Sequence, residues 1–445
     1  MFPYLPQTEG DIKEMLGVIG VKNVDDLFSD IPEDIFRKEL LSLPRGKSEY
    51  EVYKTMDELA RKNKRGLSFM GCGSYDHLIP SVVKHVLQQP QFYTAYTPYQ
   101  GEISQGILQT IFEFQTDICE LTGLEVSNAS LYDGHTAASE SITMALKTRK
   151  KADTVLISET VHPNTLKVVK TFFSDVDVKF KTIQSDSYRT SFADMKAQLD
   201  DSVAAVLVQS PNFFGYIEDY AGFAEAVHEN KSLFIISSNP MSLGVLKSQG
   251  SWGADIAIGD TQVFGLEKYF GGPSVGYMAA TSKLMRKVPG RIVGQTVDRE
   301  GERAFVLTLQ AREQHIKRER ATSNICSNQA LAALANAVYL AAVGWNGLRE
   351  AALQSTRKAH YLYNRLTGEL GLKPVADNDF LYEFTITIPD ADRILAELQK
   401  EGIYGGVAMK QFFPDMKDAV AIAVTEKRSK DEIDFFVEQL KRVLK

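Results

Sequence analysis

The stretch GADIAIGDTQVFG, residues 253–265, reads as a short buried strand running into a glycine-flanked turn. Enzymes of the α/β class place reactive groups at such points, just beyond the carboxyl end of a strand. Position 262 in this turn holds a glutamine. Working outward, the same pattern recurs: TVLIS (154–158), VKFKTI (178–183), AAVLVQS (204–210), SLFIISS (232–238), DIAIG (255–259) and VGYMAA (275–280) are short β-rich runs separated by helical stretches. Continuous apolar strands alternating with helices predict an α/β fold, a mostly parallel sheet with helices on both faces, over residues 66–300.

The flanks differ. Residues 1–65 alternate polar turns with short amphipathic helices in EGDIKEMLGVIG, VDDLFSDIP and SEYEVYKTMDELARKNK, where Val52, Met56 and Leu59 fall at helical spacing. This reads as an N-terminal helical arm that needs another surface to cover it. Residues 301–445 form the last region; the spacing predicts long helices over 298–318 and 327–343. YEFTITI, DADRILAELQKEG, AIAVT and KDEIDFFVEQLKRVL then follow in the order of a small C-terminal α+β domain.

Bulk properties exclude several classes. A chain of 445 residues with 44% hydrophobic and 24% charged residues buries a sizeable core. A net charge of −7 leaves no general basic field, so no nucleic-acid partner is expected. Cys72, Cys119 and Cys326 are widely separated, which gives neither a disulfide framework nor zinc-ligand spacing, and a reducing cytoplasm is expected. MFPYLPQTEGDIKEML lacks the basic start and apolar core of a signal peptide, and no membrane association is expected. No metal motif, G-x-S-x-G elbow or Walker loop occurs.

Several segments are candidate ligand contacts, each with a purely structural alternative. NASLYDGHTAASES (128–141) opens a helix running to about Lys147, whose N-terminus would suit a phosphate or would simply permit tight packing. FGGPSVGYMAA (270–280) puts Gly271 and Gly272 before Pro273, where the backbone can approach a ligand or merely turn. QFYTAYTPYQGEISQG (91–106) carries Tyr93, Tyr96 and Tyr99 in a loop, suited to a pocket, an interface or a core cluster. His135 and His162 stand near helix starts, where a ring stacks on a flat ligand or serves structure.

FYTAYTPYQGEISQG, NASLYDGHTAASE, QVFGLEKYFGGPSVGYMA, REQHIKRERATSNICSNQAL and AVTEKRSKDEID together resemble the glycine decarboxylase P-protein family, and within it the N-terminal half that many bacteria make as a separate α subunit. The opening DIKEMLGVIGVKNVDDLFSDIPEDI fits as well, so the resemblance runs from about residue 4 to the end.

The resemblance implies a pyridoxal-phosphate-dependent transferase-like fold of type I: a large, mostly parallel sheet domain, a small C-terminal domain and an N-terminal arm embracing a partner. It implies decarboxylation of glycine and transfer of the aminomethyl group to the lipoyl group of H protein. Such chemistry needs a Schiff-base lysine, which the catalytic half of the family places where this chain has Gln262, and a carboxylate beside the pyridine nitrogen, where this chain reads Ser237, Ser238 and Asn239. Gln262 thus resembles a vacated lysine position. No residue is assigned a catalytic role in this chain. Pyridoxal phosphate is expected on a homologous β subunit, in an αβ pair and an α2β2 tetramer. Tyr93, Tyr96, Tyr99 and Gln100, with Gly271, Gly272 and Pro273, are the expected contributors to the shared site. His135 departs from the small residue expected there, which counts against a phosphate role for 133–137. Two rival readings are an autonomous pyridoxal enzyme using Lys268 and a non-catalytic protein that binds a lipoylated carrier.

Overall fold

A computed structural model describes residues 4–37, 39 and 41–445. The chain forms two compact units, residues 1–64 and 65–445. Residues 1–3, 38 and 40 of the expected arm lie outside the described residues.

The first unit carries helices α1 (Glu9–Ile19) and α2 (Glu49–Ala60), with a 3-10 turn at Val24–Phe28 between them. Both helices start in reciprocal caps. The Thr8 hydroxyl accepts the Asp11 N–H at 3.2 Å while Asp11 accepts the Thr8 N–H at 2.7 Å. Ser48 and Glu51 repeat the arrangement at α2. Each box satisfies backbone donors that the first helical turn leaves free.

The second unit is built on a seven-stranded sheet: β1 (Val126–Ser127), β2 (Thr154–Ser158), β3 (Lys179–Ile183), β4 (Val203–Gln209), β5 (Leu233–Ser237), β6 (Ile256–Asp260) and β7 (Gly276–Ala280). The spatial order is β1-β7-β6-β5-β4-β2-β3. Strands β2 to β6 run parallel, whereas β7 lies antiparallel to both β6 and β1. All six β-rich runs read from the sequence are strands of this sheet.

Alternate residues explain why the central strands are buried on both faces, whereas the edge strand β3 leaves Lys179 and Lys181 exposed. Leu156, Val206, Phe234 and Ile236 pack on one face with Met195 and Phe223. Val155, Ile157, Leu207, Ile235, Ile256 and Ile258 pack on the other with Ala137, Ala138, Ile142 and Ala145. The latter four belong to helix α4 (Gly134–Thr148), which opens where the sequence placed it. Gly259 has no substitute in β6, because an added Cβ would lie 2.2 Å from the Ser238 carbonyl and 2.5 Å from the Tyr277 ring.

Helix α3 (Gln105–Thr122) precedes the sheet, and the long helix α5 (Ala330–Gly368) follows it and packs against α3. Helix α5 covers residues 330–343 of the expected 327–343 segment and continues past a break at Gly344, where φ is 59°. By length and composition alone α5 is apolar enough to cross a membrane, but half of that apolar window is buried inside the protein, as in a core helix.

The expected helix over 298–318 is not formed. Residues 292–297 and 303–308 make an antiparallel hairpin, β8 (Ile292–Val297) and β9 (Arg303–Thr308), followed by short turns and one helical turn at Gln314–Lys317. Phe305 and Leu307 are buried while Val306 is exposed, a period of two that belongs to a strand.

The remaining residues give a four-stranded antiparallel sheet of order β10-β11-β13-β12: β10 (Lys373–Pro374), β11 (Glu383–Thr387), β12 (Val407–Ala408) and β13 (Ala419–Ala423). Helices α6 (Ala391–Lys400) and α7 (Lys430–Val443) bury Ile394, Leu398, Phe436 and Leu440 in the same core cluster as Phe384 and Ile422 of that sheet. Leu67–Ser68 pairs in parallel with Ile403–Tyr404, which ties the start of this unit to its end.

Candidate functional site

A cleft of about 420 Å³ opens beyond the carboxyl ends of the parallel strands, with Gln209 of β4, Ser237 of β5 and Asp260 of β6 in its wall and Glu383 of β11 closing it from the C-terminal sheet. Ligands of open α/β sheets bind at this end, where strand termini and helix N-termini converge.

Gln262 is buried in the cleft wall and its amide is fully engaged. Its Oε1 accepts the Tyr75 N–H at 2.9 Å, and its Nε2 donates to the carbonyls of Tyr75 at 3.1 Å and Leu266 at 2.7 Å. The side chain is a brace between two turns. The lysine in the lining is Lys268, half-buried, with Nζ donating to Ser68 Oγ at 3.2 Å. Burial lowers its pKa, partly offset by Asp76.

The N-terminus of α4 is occupied by two carboxylates of the chain itself. Asp133 caps the helix by accepting the Thr136 N–H at 2.8 Å. Asp260 accepts the Gly134 N–H at 3.0 Å and the Gln262 N–H at 2.9 Å, and the Ser274 hydroxyl as well. Burial raises the Asp260 pKa, against the opposing effect of these bonds, and the neighbouring Asp133 raises it further. Two of the backbone donors that would cradle a phosphate, the Gly134 and Thr136 N–H groups, are therefore already paired.

His162 caps the helix Pro163–Phe172, its Nδ1 accepting the Asn164 N–H at 3.1 Å. That fixes the tautomer, so Nε2 carries the proton and donates to the Cys72 carbonyl at 3.0 Å. Burial, with the neighbouring His135, pushes the His162 pKa down to about 4, and the ring is neutral. The two imidazoles meet edge to face with centroids 4.9 Å apart, and His135 Nδ1 lies 2.8 Å from Thr165 Oγ1.

Glu383 holds the 72–75 turn against the cleft. One carboxyl oxygen accepts the Cys72 N–H at 2.6 Å and the other lies 2.6 Å from the Tyr75 hydroxyl. Burial pushes its pKa up to about 7, partly offset by these hydrogen bonds, and pushes the Cys72 thiol and the Tyr75 phenol up as well.

Of the sequence candidates, the fold brings Gln262, His135, His162, Gly271, Gly272, Pro273 and Lys268 to the cleft, together with Ser237, Ser238 and Asn239. Tyr93, Tyr96, Tyr99 and Gln100 are not part of its lining; all four are exposed. The Tyr99 hydroxyl lies 3.4 Å from Arg291, whose guanidinium also sits over the Tyr99 ring. Sequence reasoning passed over Cys72, Tyr75, Asp260, Tyr382 and Glu383. The signal that could have found the first two is the glycine pair in GCGSY (71–75), a tight turn carrying polar residues in an otherwise apolar region.

The family model of the glycine cleavage system P-protein matches residues 3–440. The probable glycine dehydrogenase (decarboxylating) subunit 1 of Carboxydothermus hydrogenoformans is 49% identical over 440 residues, covering 98% of this chain and 99% of the relative. The protein of the same name in Geobacillus kaustophilus is 51% identical over 444 residues, with 98% of each chain covered. Among solved structures, a glycine decarboxylase (P-protein) of the glycine cleavage system in inhibitor-bound form superposes with a TM-score of 0.90 at 41% identity, over 99% of this chain and 100% of that one.

Proposed function

This chain belongs to the glycine cleavage system P-protein family, and from that premise we propose that it is the α subunit of a glycine decarboxylase whose cofactor-bearing β subunit is a separate, homologous chain. Its relatives are named glycine dehydrogenase (decarboxylating) subunit 1, which implies at least one further subunit. The fold is that of the type I pyridoxal-phosphate enzymes.

Pyridoxal phosphate supplies an electron sink for loss of carbon dioxide from glycine where it is bound. The cleft of this chain does not fit it. The cofactor needs a lysine amine, a carboxylate at its pyridine nitrogen and donors for its phosphate. Here Gln262 is locked to backbone carbonyls, the end of β5 offers Ser237, Ser238 and Asn239, and Asp133 and Asp260 face the helix terminus. Carboxylates at that terminus repel a phosphate dianion.

The saturated amide of Gln262 is the observation that carries this reading. The β subunit then holds pyridoxal phosphate, and this chain completes the shared site. Tyr93, Tyr96 and Tyr99 support that role, because they are 61%, 82% and 53% exposed, and aromatic side chains are enriched at protein interfaces. The pair assembles as α2β2 in the cytoplasm and delivers the aminomethyl group to the lipoyl group of H protein.

The test is borohydride reduction of this chain with pyridoxal phosphate and glycine, alone and with the β subunit, followed by peptide mass spectrometry. The expected pyridoxyl label is on the partner alone, with glycine-dependent carbon dioxide exchange only in the pair with H protein present. Stoichiometric label on Lys268 would overturn the reading.

A further inference from the structure

A second cavity, of about 220 Å³, lies beside the end of β5, walled in part by Ile236, Ser238 and the segment 242–252. A cavity of about 150 Å³ already accommodates benzene. Ser238 is 5% exposed, and its backbone is fully paired, the N–H with the Ile258 carbonyl and the carbonyl with the Tyr277 hydroxyl. Its own hydroxyl bonds to nothing and is not sealed from solvent. Gln249, 1% exposed, donates from Nε2 to the Ile236 and Ile258 carbonyls and to the Tyr277 hydroxyl, while its Oε1 has no partner. Because Ser238 and Gln249 both bond to Ile258 and Tyr277, the free hydroxyl and the free carbonyl belong to one corner of the wall. Such unsatisfied groups in a cavity wall call for an occupant. The rest of the wall is apolar, with Ile217, Leu243 and Val245, except for Glu218 and for exposed Lys247, whose ammonium stands 4.1 Å from the centroid of the Trp252 ring with no carboxylate paired to it.

We propose that this cavity binds a small aromatic carboxylic acid with a hydroxyl at its far end: the carboxylate meets Lys247 at the mouth, the ring packs on Trp252 and Leu243, and the hydroxyl donates to Gln249 Oε1 while accepting from Ser238. The wall dictates each part. A buried acceptor without a donor is costly, and a ligand hydroxyl removes that cost. A hydroxyl suits the corner better than an ammonium, because Gln249 and Ser238 are neutral and Glu218 already accepts from Thr160, Thr190 and Asn212. An exposed lysine over an indole ring leaves its outer donors for an anion. The site rests on this cavity alone and is independent of which subunit holds pyridoxal phosphate.

The experiment is isothermal titration calorimetry on the purified full-length chain with 4-hydroxyphenylacetate, phenylacetate and tyramine as probes. 4-Hydroxyphenylacetate is expected to bind saturably at one site. Phenylacetate, which leaves Gln249 Oε1 without a donor, is expected to bind about tenfold more weakly, and tyramine, with a cation in place of the carboxylate, at least as much more weakly again. Ser238→Ala removes a hydroxyl that has no partner in the protein, so the fold is untouched, and is expected to weaken 4-hydroxyphenylacetate about fivefold. Lys247→Met, at an exposed position, is expected to weaken it about threefold and to leave the ratio to phenylacetate unchanged. Lys268→Met, in the wall of the cleft and not of this cavity, is expected to change nothing. Absence of saturable binding, as in a cavity that holds water alone, would overturn the proposal. So would tyramine binding as tightly as the acid, or a loss of affinity in Lys268→Met but not in Lys247→Met.

Discussion

Gln262 and Tyr75 exchange two hydrogen bonds across 187 residues of sequence: the Tyr75 N–H donates to Gln262 Oε1 at 2.9 Å, and Gln262 Nε2 donates back to the Tyr75 carbonyl at 3.1 Å. Both backbone groups are buried with the glutamine. The residue where the family's catalytic half is expected to carry lysine thus serves as a bidentate clamp.

Restoring lysine at this position is therefore expected to damage the fold and gain no chemistry. Gln262→Lys leaves the Tyr75 N–H without an acceptor, a loss of about 2 kcal/mol for an unsatisfied buried donor. Urea unfolding is the measurement, combined with borohydride labelling. Wild-type stability, or a pyridoxyl adduct at residue 262, would contradict the clamp.

Glu383 predicts a pH dependence. Its folded pKa, about 7, stands above the ordinary carboxyl value of 4.5. The stability associated with its protonated form is present below pH 4.5 and is lost as pH rises through 7, by about 3 kcal/mol. Glu383→Gln keeps an acceptor for Cys72 and a donor for the Tyr75 oxygen, so its stability curve is expected to be flatter by that amount between these limits. Parallel curves for variant and parent would refute the assignment.

His162 behaves with the opposite sign. Its folded pKa of about 4 lies below the ordinary 6.5, so stability is full above pH 6.5 and declines as pH falls toward 4. Ring proton NMR should find one histidine that stays neutral through pH 5. That signal is expected to vanish in His162→Gln. A midpoint near 6.5 for His162 is the excluding result.

Gly259→Ala is expected to cost about 3 kcal/mol or more, since the new methyl meets the Ser238 carbonyl and the Tyr277 ring and neither can withdraw. Soluble yield and chemical unfolding report it. A variant as stable as the parent would mean that β5 and β6 can separate at no cost.

Tyr96→Ala touches the partner reading. With Tyr96 82% exposed, the substitution is expected to leave unfolding within about 0.5 kcal/mol of the parent. The prediction is a weaker α–β affinity by sedimentation or light scattering together with reduced glycine exchange. Unchanged assembly and exchange would remove this loop from the shared site.

The sheet was legible because its central strands are apolar runs long enough to be buried on both faces, and the edge strand 179–183 follows them at the same spacing. The hairpin at 292–308 was not legible, since Arg299, Glu300, Glu302 and Arg303 are good helix formers and mask the two-residue period of Phe305 and Leu307. Gly344 read as the end of a helix, but α5 continues beyond it because its second half buries Ala352, Ala359 and Leu362. Of the cleft, the glycine loop, the two histidines and Gln262 were legible as turn and helix-start residues. Cys72 and Glu383 were not, because they meet across 311 residues and neither carries a local signal.

The cleft has a consequence for biosynthesis. Its walls come from residues 72–75, 133–135, 162–165, 209–274 and 381–383, and the strand at 67–68 just before the first of these pairs with 403–404. A nascent chain that has completed its seven-stranded sheet still has no cleft. The lining is complete only when residues 381–383 have left the ribosome and returned to the segment that emerged before the sheet. A chain halted anywhere before that point would expose the 67–77 segment, a ready signal by which quality control could tell an unfinished subunit from one fit to meet its partner.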